Sequence, residues 1–266
     1  MPWTSDFVVD KANFTIKVKD SSDGKDPSKA CTEAFASLIN KAIDDNIFET
    51  LHGQHSELFP IVGAKYPVQF ERFAGDLFGF TARGAHLTVF TRTESGMKIW
   101  VPRRGAHMFT YPNRLDTTVA GGVPAHQTPF ENVIQEADEE AFLPADMIKD
   151  HARAAGALTY IGLSSEANGG KEQLIAVDIV YVYDLEVGTD VTPVPKDGEV
   201  KEFYLMSVEE IREALARNEF KTNSAVVMID FLTRHGFLTE ENEPDYIEIQ
   251  TRMHRRLPFP TAPGGS

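Results

Sequence analysis

Residues 121–143, GGVPAHQTPFENVIQEADEEAFL, decide the fold that we predict. The strand-like Val119-Ala120 leads into two glycines, and a helix pattern follows them. Thr128 is a favoured N-cap residue, and Pro129 suits the first turn of a helix. We therefore expect a strand, a glycine turn and a helix over about Pro129–Ala141, in direct succession.

The predicted helix places acidic side chains on one face. Glu136, Glu139 and Glu140 are spaced i, i+3 and i+4. They repel one another and lie toward the helix C-terminus, where the helix dipole disfavours anions. Mg²⁺ would relieve both penalties, and the turn would let the Gly121 carbonyl approach the same ion. A solvated acidic face is the alternative interpretation, because the chain is acidic throughout.

This strand, turn and helix resemble the Nudix box. Gly121 matches its opening glycine, the three glutamates match its metal-binding glutamates, and Leu143 matches its closing apolar position. The resemblance implies an α/β (α+β) Nudix fold, with a mixed sheet flanked by helices. It also implies an enzyme that hydrolyses organic diphosphates with Mg²⁺, or Mn²⁺, as its cofactor.

Three box positions depart from the family pattern. Gln127 replaces the first glutamate, Gln135 replaces the arginine, and Phe142 replaces a late glycine. In the family the glutamate and arginine pair; two glutamines can still hydrogen-bond. Phe142 is less easily accommodated, because glycine eases the turn at a helix end. These departures motivate one alternative, a non-catalytic Nudix-fold protein that binds a ligand or partner.

Phrases outside the box resemble one Nudix branch, which some yeasts carry fused to thiamine pyrophosphokinase. The resemblance implies a module before the Nudix domain and hydrolysis of thiamine diphosphate, or its oxidised analogues, to the monophosphate. The main phrases are Ile99–Arg104, Thr110–Pro112, Thr118–Gly122, Tyr183–Glu186, Asp197–Val200, Phe220–Asn223, Asp230–Gly236 and His254–Pro260.

Five further residues are candidates for the site. Glu199 precedes a predicted strand, where Nudix proteins often place a second carboxylate, so it is the candidate extra metal ligand or general base. Arg103 and Arg104 are candidates to bind the diphosphate through charge-assisted hydrogen bonds, although neighbours on a strand alternate faces. Met108 and Phe109 stand where the branch has a lysine and a polar residue. They would line an apolar entrance suited to a prenyl diphosphate, or they are ordinary strand core.

The composition of the chain limits the kinds of partner that we expect it to bind. The chain has 266 residues and a net charge of −14, which argues against nucleic acid or an anionic membrane as partner. The single cysteine, Cys31, fits a reducing compartment, and we expect a cytoplasmic protein. The expected partner is a small organic diphosphate, and the resemblance allows a homodimer.

The expected organisation has three parts. Residues 1–80 form an α+β module, residues 81–260 form the Nudix domain with a helical extension, and residues 261–266 are a disordered tail. Helices are predicted over Ser28–Asp45, Val208–Ala216 and Ala225–His235. Strands are predicted over His86–Thr91, Lys98–Val101, Gly156–Gly162, Leu174–Leu185 and Glu202–Met206, the first two as a hairpin.

Overall fold

The computed structural model describes residues 1–51, 57–165, 172–258 and 260–262. These divide into two compact units. The first comprises residues 1–82, 162–177 and 257–266, and the second comprises residues 83–161 and 178–256. Most of the predicted tail, residues 263–266, lies outside the described residues. Within the described ranges no helix is long and apolar enough to cross a membrane.

The first unit is built around one long helix and an aromatic core. The helix α1 matches the predicted helix to within one residue at each end, with Asp26 accepting a hydrogen bond from the Lys29 amide as its cap. Its buried face, with Phe35 and Leu38, packs against Phe7 and Phe70. The elements are β1 (Phe7–Asp10), β2 (Thr15–Val18), α1 (Pro27–Asp44), β3 (Leu58–Pro60), β4 (Gln69–Glu71) and α2 (Gly75–Phe78), with 3-10 turns at Glu49–Leu51 and Arg72–Ala74.

The main sheet has six strands. They are β5 (Thr81–Thr93), β6 (Gly96–Arg104), β7 (Val119–Gly122), β8 (Arg153–Leu163), β9 (Ile175–Glu186) and β10 (Val200–Ser207). Their order is β10-β6-β5-β9-β8, and β7 pairs with the first part of β5. The predicted hairpin is confirmed: β5 and β6 are antiparallel, and Thr93 lies opposite Gly96 beside the turn.

Helices cover both faces of this sheet. They are α3 (Pro129–Ala141), α4 (Ala145–His151), α5 (Val208–Ala216), α6 (Thr222–Arg234) and α7 (Tyr246–Met253). Val133 and Ala137 of α3 pack on Leu87 and Val89, while Phe231 of α6 packs on the opposite face with Phe90. The alternation of strand side chains separates the two cores. The mixed α/β class predicted from the sequence is confirmed.

One predicted helix begins earlier than the sequence indicated. We expected α6 to start at Ala225, but it starts at Thr222. Its first turn, Thr222-Asn223-Ser224, is polar and gives no apolar periodicity. Ser224 is nevertheless fully buried, because its hydroxyl donates a hydrogen bond to Asp116. The early start places Lys221 and Thr222 at the site described next.

Candidate active site

The helix that was predicted to present the acidic face, α3, begins and ends where the sequence indicated. The Thr128 hydroxyl accepts a hydrogen bond from the Glu131 amide, and the Glu131 carboxylate accepts one from the Thr128 amide at 2.8 Å. This reciprocal capping box satisfies donors that a helix N-terminus otherwise leaves free. Together with Pro129 in the first turn, it sets the direction in which the glutamates project.

The glutamates of the acidic face differ in their surroundings. Glu140 is only 6% exposed, and its Oε2 accepts a hydrogen bond from the Ala120 amide of β7 at 3.0 Å. Glu136 is half-buried and accepts from the Asn132 side chain at 3.3 Å. Glu139 is exposed and accepts from Gln135 at 3.0 Å. The structure therefore turns Glu136 and Glu140 toward β7 and leaves Glu139 at the surface.

Gly121 is required by close approach. A Cβ atom at this position would lie 2.5 Å from the Glu136 Cγ and Oε1 atoms and 2.6 Å from the Asn132 Oδ1 atom. A Cβ atom here would displace the side chains of Glu136 and Asn132, so glycine lets both keep their positions against β7. The Asn132 Oδ1 atom is buried, and among the described residues it has no hydrogen-bond partner. Asn132 was missed by the sequence analysis, although it lies four residues before Glu136 on the same face.

Carboxyl groups crowd around Glu140. Its burial raises its pKa well above the usual value, and the charges of Glu136 and Asp116 raise the pKa further. The Ala120 amide opposes this rise, and Glu199 adds a smaller contribution in the same direction as Glu136. Three carboxylates, one of them on the same helix, thus act on Glu140. Such a cluster is relieved either by a proton or by a cation.

The donors fit a hard divalent cation in kind. They are carboxylate oxygens, an amide oxygen without a partner and the backbone of a glycine turn. In the present side-chain arrangement, no three His, Cys, Asp or Glu groups of the described chain converge as a ready set of ligands. Glu139 is held by Gln135, and Glu199 lies on an exposed loop where its own amide binds Asp197.

The two glutamines of the box are joined by a hydrogen bond, as expected from their amide groups. Gln127 Nε2 donates to Gln135 Oε1, and Asn132 Nδ2 donates to Gln127 Oε1 at 3.2 Å. The loop is therefore attached to the helix without charged groups. A chain of amides links the loop to both Glu136 and Glu139.

Phe142 ends α3 in a strained conformation. Its φ is +51°, in the left-handed region where glycine is the favoured residue. The side chain is 62% exposed, and the Lys196 ammonium lies 5.3 Å from its ring centroid. The expected difficulty at this position is thus real, and the cation–π contact offsets part of it.

The two arginines have different surroundings. Arg104 is buried, ion-paired with Asp116 at 3.1 Å, and bonded to the Thr110 carbonyl at 3.1 Å. These contacts occupy its guanidinium with protein groups. Arg103 is half-buried, with Nη1 2.8 Å from the Asn113 carbonyl. Of the pair, Arg103 is the more accessible.

The candidate entrance residues lie in the loop after β6. Phe109 is 43% exposed and Met108 is half-buried. Neither is among the fully buried side chains of the sheet, and neither belongs to the hydrophobic clusters on its two faces.

A buried polar cluster that was not predicted lies beside the carboxylates. Asp116 lies 3.5 Å from Lys221 and also accepts hydrogen bonds from Ser224 and its neighbour Thr117. His86 Nδ1 lies 2.7 Å from the Thr117 hydroxyl. Burial and the charge of Lys221 lower the His86 pKa to about 3, so the ring is neutral. About a hundred residues separate Asp116 from its partners on α6, so no local pattern marked them.

Comparison with known proteins supports the Nudix interpretation of the box. No family model matches the chain. The chain is 38% identical over 231 residues to the uncharacterized protein YJR142W of Saccharomyces cerevisiae, covering 84% of this chain and 68% of the yeast protein. It is 32% identical over 229 residues to the chloroplastic Nudix hydrolase 20 of Arabidopsis thaliana, covering 85% of this chain and 58% of the relative. It is 29% identical over 230 residues to the chloroplastic Nudix hydrolase 24 of the same plant, covering 85% of this chain and 59% of that relative.

The aligned segments are long enough that they must include the box. A match over 85% of a 266-residue chain cannot omit residues 121–143. The chain spans less than two thirds of the length of the two Arabidopsis relatives. The box geometry and these relatives support the Nudix hydrolase superfamily as the family that this chain is similar to, and the activity of that family comes to the chain as a proposal.

Proposed function

We propose that this protein is a Mg²⁺-dependent hydrolase that cleaves an organic diphosphate to a monophosphate and phosphate. The observation that supports this most strongly is the close approach of β7 to α3. There Gly121, Glu136 and Glu140 crowd together, and the pKa of Glu140 is raised by its burial and its acidic neighbours. A protein that only needed a stable core would not keep such repulsion, so we infer that a cation belongs there.

The metal ligands that we propose are those of the box and the loop before β10. Glu136, Glu140 and the Gly121 carbonyl would form the inner part of the site, with Glu139 and Glu199 turning in from the surface. When bound, Mg²⁺ or Mn²⁺ would neutralise phosphate charge and acidify the attacking water. The amide chain from Gln127 keeps the loop and the helix together and reaches Glu136 and Glu139 through Asn132 and Gln135.

The other residues would orient and neutralise the substrate. Glu199 is exposed on its loop, so it is free to accept a proton from water as the general base. Arg103 is the accessible guanidinium, and we propose that it contacts the diphosphate. Arg104 remains a candidate through its position on the same strand, but its contacts favour a role in holding Asp116.

Thiamine diphosphate, or an oxidised analogue, is the substrate that we propose, because the branch resemblance supports it across much of the chain. A prenyl diphosphate is the second candidate. The exposed ring of Phe109, beside Met108, is the observation that favours it, since an apolar entrance suits an apolar chain. The single cysteine supports our proposal of a reducing compartment such as the cytoplasm.

The test is phosphate release with Mg²⁺ from thiamine diphosphate and, separately, from farnesyl diphosphate. We expect Glu140→Gln to lower kcat/KM by about a hundred-fold or more, because losing a buried ligand removes transition-state stabilisation. Asp138→Asn is the matched control on the same helix, because Asp138 forms only a surface ion pair with Lys196. If the wild-type protein released phosphate from neither substrate, the proposal would be wrong. Unchanged hydrolysis in Glu140→Gln would refute the catalytic assignment and favour the non-catalytic alternative.

A further inference from the structure

The hydroxyl of Tyr160, on β8, lacks a partner. The Tyr160 Oη atom is buried and makes no hydrogen bond to any described residue, while the residue as a whole is half-buried. Buried hydroxyls are nearly always bonded, because burial removes the water that would otherwise satisfy them. A buried hydroxyl without a hydrogen-bond partner therefore suggests that a bound ligand supplies the partner.

The surroundings of Tyr160 are apolar at the ring and polar at the hydroxyl. The ring packs with Leu158 and Val180 in a small core between the sheet and the C-terminal helices. Burial, together with the charge of Asp178 and the nearby Tyr111, raises the pKa of Tyr160 well above its usual value. The phenol thus stays protonated at neutral pH and remains a hydrogen-bond donor.

Tyr111, whose charge acts on this hydroxyl, is linked by contacts to the carboxylate site. The Tyr111 hydroxyl donates to the Thr222 hydroxyl at 3.2 Å, at the first residue of α6. Lys221, the preceding residue, lies 3.5 Å from Asp116. Asp116 in turn acts on Glu140. The start of α6 therefore lies between the carboxylates and the Tyr111–Tyr160 pair.

We propose that Tyr160 is a specificity-determining residue, whose hydroxyl donates a hydrogen bond to an acceptor atom in the organic part of the substrate. The phosphates would lie toward Lys221, and the organic part would extend toward Tyr111 and Tyr160. A polar heteroaromatic group suits this donor, because a ring nitrogen or a ring substituent can accept the hydrogen bond.

This inference rests on the proposed diphosphate hydrolysis and sharpens its substrate. A prenyl chain has no acceptor, so it would leave the hydroxyl unpaired. Sites built to bond a polar group reject analogues that lack it far more strongly than apolar pockets reject an added group. Tyr160 would therefore counteract the apolar character that Phe109 gives to the entrance.

The first experiment measures binding without hydrolysis. Titration calorimetry with thiamine monophosphate, in the absence of metal, should show binding to the wild-type protein. Tyr160→Phe should weaken that binding by about tenfold or more, because the lost hydrogen bond is made inside a desolvated site. Tyr246→Phe is the matched control, since Tyr246 is half-buried against a different core near α7. A Tyr160→Phe variant that binds like wild type, or a wild-type protein that does not bind, would overturn the inference.

The second experiment separates specificity from general damage. With thiamine diphosphate and Mg²⁺, Tyr160→Phe should raise KM with little change in kcat, while kcat/KM for farnesyl diphosphate stays constant or rises. The Tm without ligand should stay constant or rise, because an unpaired buried hydroxyl is removed. Equal losses on both substrates, or a fall in Tm, would indicate a structural role only.

The two proposals can fail separately. Binding of thiamine monophosphate that depends on Tyr160, without any hydrolysis of the diphosphate, would refute the enzyme and keep the inference. Hydrolysis of thiamine diphosphate with a KM independent of Tyr160 would keep the enzyme and refute the inference.

Discussion

Asp116 and Glu140 are two buried carboxyl groups in the same unit, and their ionisation is shifted in opposite directions. They are 3% and 6% exposed, so burial disfavours the charge of both. At Asp116 the cations of Lys221 and Arg104 outweigh burial and lower the pKa to about 2. At Glu140 the neighbouring charges are Glu136 and Asp116, which add to the effect of burial and raise the pKa.

The difference shows which carboxylate is already neutralised by the protein and which is not. Asp116 has its cations within the chain, and its role is to hold β6 and the start of α6 together. Glu140 has only a backbone amide to oppose its acidic neighbours. Burial is common to both sites, so it cannot distinguish a structural carboxylate from a metal ligand; the sign of the neighbouring charges does.

Removing the charge of Asp116 should have the largest effect on stability. Asp116→Asn leaves the buried Arg104 guanidinium without its counter-ion, which we expect to cost about 3 kcal/mol of the free energy of unfolding. Urea denaturation at pH 7 measures this. The control is Asp138→Asn, whose surface ion pair with Lys196 should contribute less than about 1 kcal/mol. Equal losses in the two variants would contradict the contrast between the sites.

The contributions of Asp116 and Glu140 to the free energy of unfolding change with pH in opposite directions. The folded-state pKa of Asp116, about 2, lies below its ordinary value of 3.8, so its stabilisation is present above pH 3.8 and is lost as pH falls toward 2. The folded-state pKa of Glu140 lies above its ordinary value of 4.5, so its favourable contribution is present below pH 4.5 and is lost as pH rises through the raised pKa.

Glu140→Gln should therefore change stability in a pH-dependent way, with an effect of intermediate size. In metal-free protein, the variant should gain stability relative to wild type between pH 5 and pH 8, because the amide cannot acquire the unfavourable charge. Denaturation at the two pH values in the presence of EDTA measures the difference. Glu139→Gln, at the exposed carboxylate, should show no such gain. If the stability of Glu140→Gln changed with pH as that of the wild-type protein does, the contrast between Asp116 and Glu140 would be wrong.

The smallest effect should come from the end of α3, two residues beyond Glu140. Phe142→Gly removes the backbone strain of the positive φ, which stabilises the folded state. It also loses the contact with Lys196 and makes the unfolded chain more flexible, and both effects are destabilising. We expect the free energy of unfolding to rise by about 0.5 kcal/mol in total. Phe142→Ala keeps the strained backbone and loses the ring, so it should be destabilised. A loss in Phe142→Gly that matched the loss in Phe142→Ala would show that the ring contact, and not the backbone, sets the stability of this helix end.

The sequence predicted the local features of the box because these depend on neighbouring residues. The N-cap at Thr128 and the bounds of α3 follow from residue types and spacing alone. The hydrogen bond between Gln127 and Gln135 was also expected from their chemistry. The start of α6 was placed three residues too late, since its first turn is polar and only Ser224 in it is buried, with Asp116 as its partner.

The cluster around Asp116 could not be predicted in the same way. Lys221 and Ser224 are more than a hundred residues away in sequence, and each is ordinary in its own segment. The unpartnered hydroxyl of Tyr160 could not be predicted from the sequence of its strand either. Contacts of this kind depend on how strands and helices assemble.

The sequence by itself determined that this chain has a glycine turn followed by an acidic helix, and hence a Nudix box, because periodicity and capping act over a few residues. Only the tertiary structure decided which carboxylates share a site. Charges interact through space across the fold, so the identity of Glu140 as the unneutralised carboxylate, and of Asp116 as the neutralised one, depends on groups that the chain brings together from β6, β7 and α6.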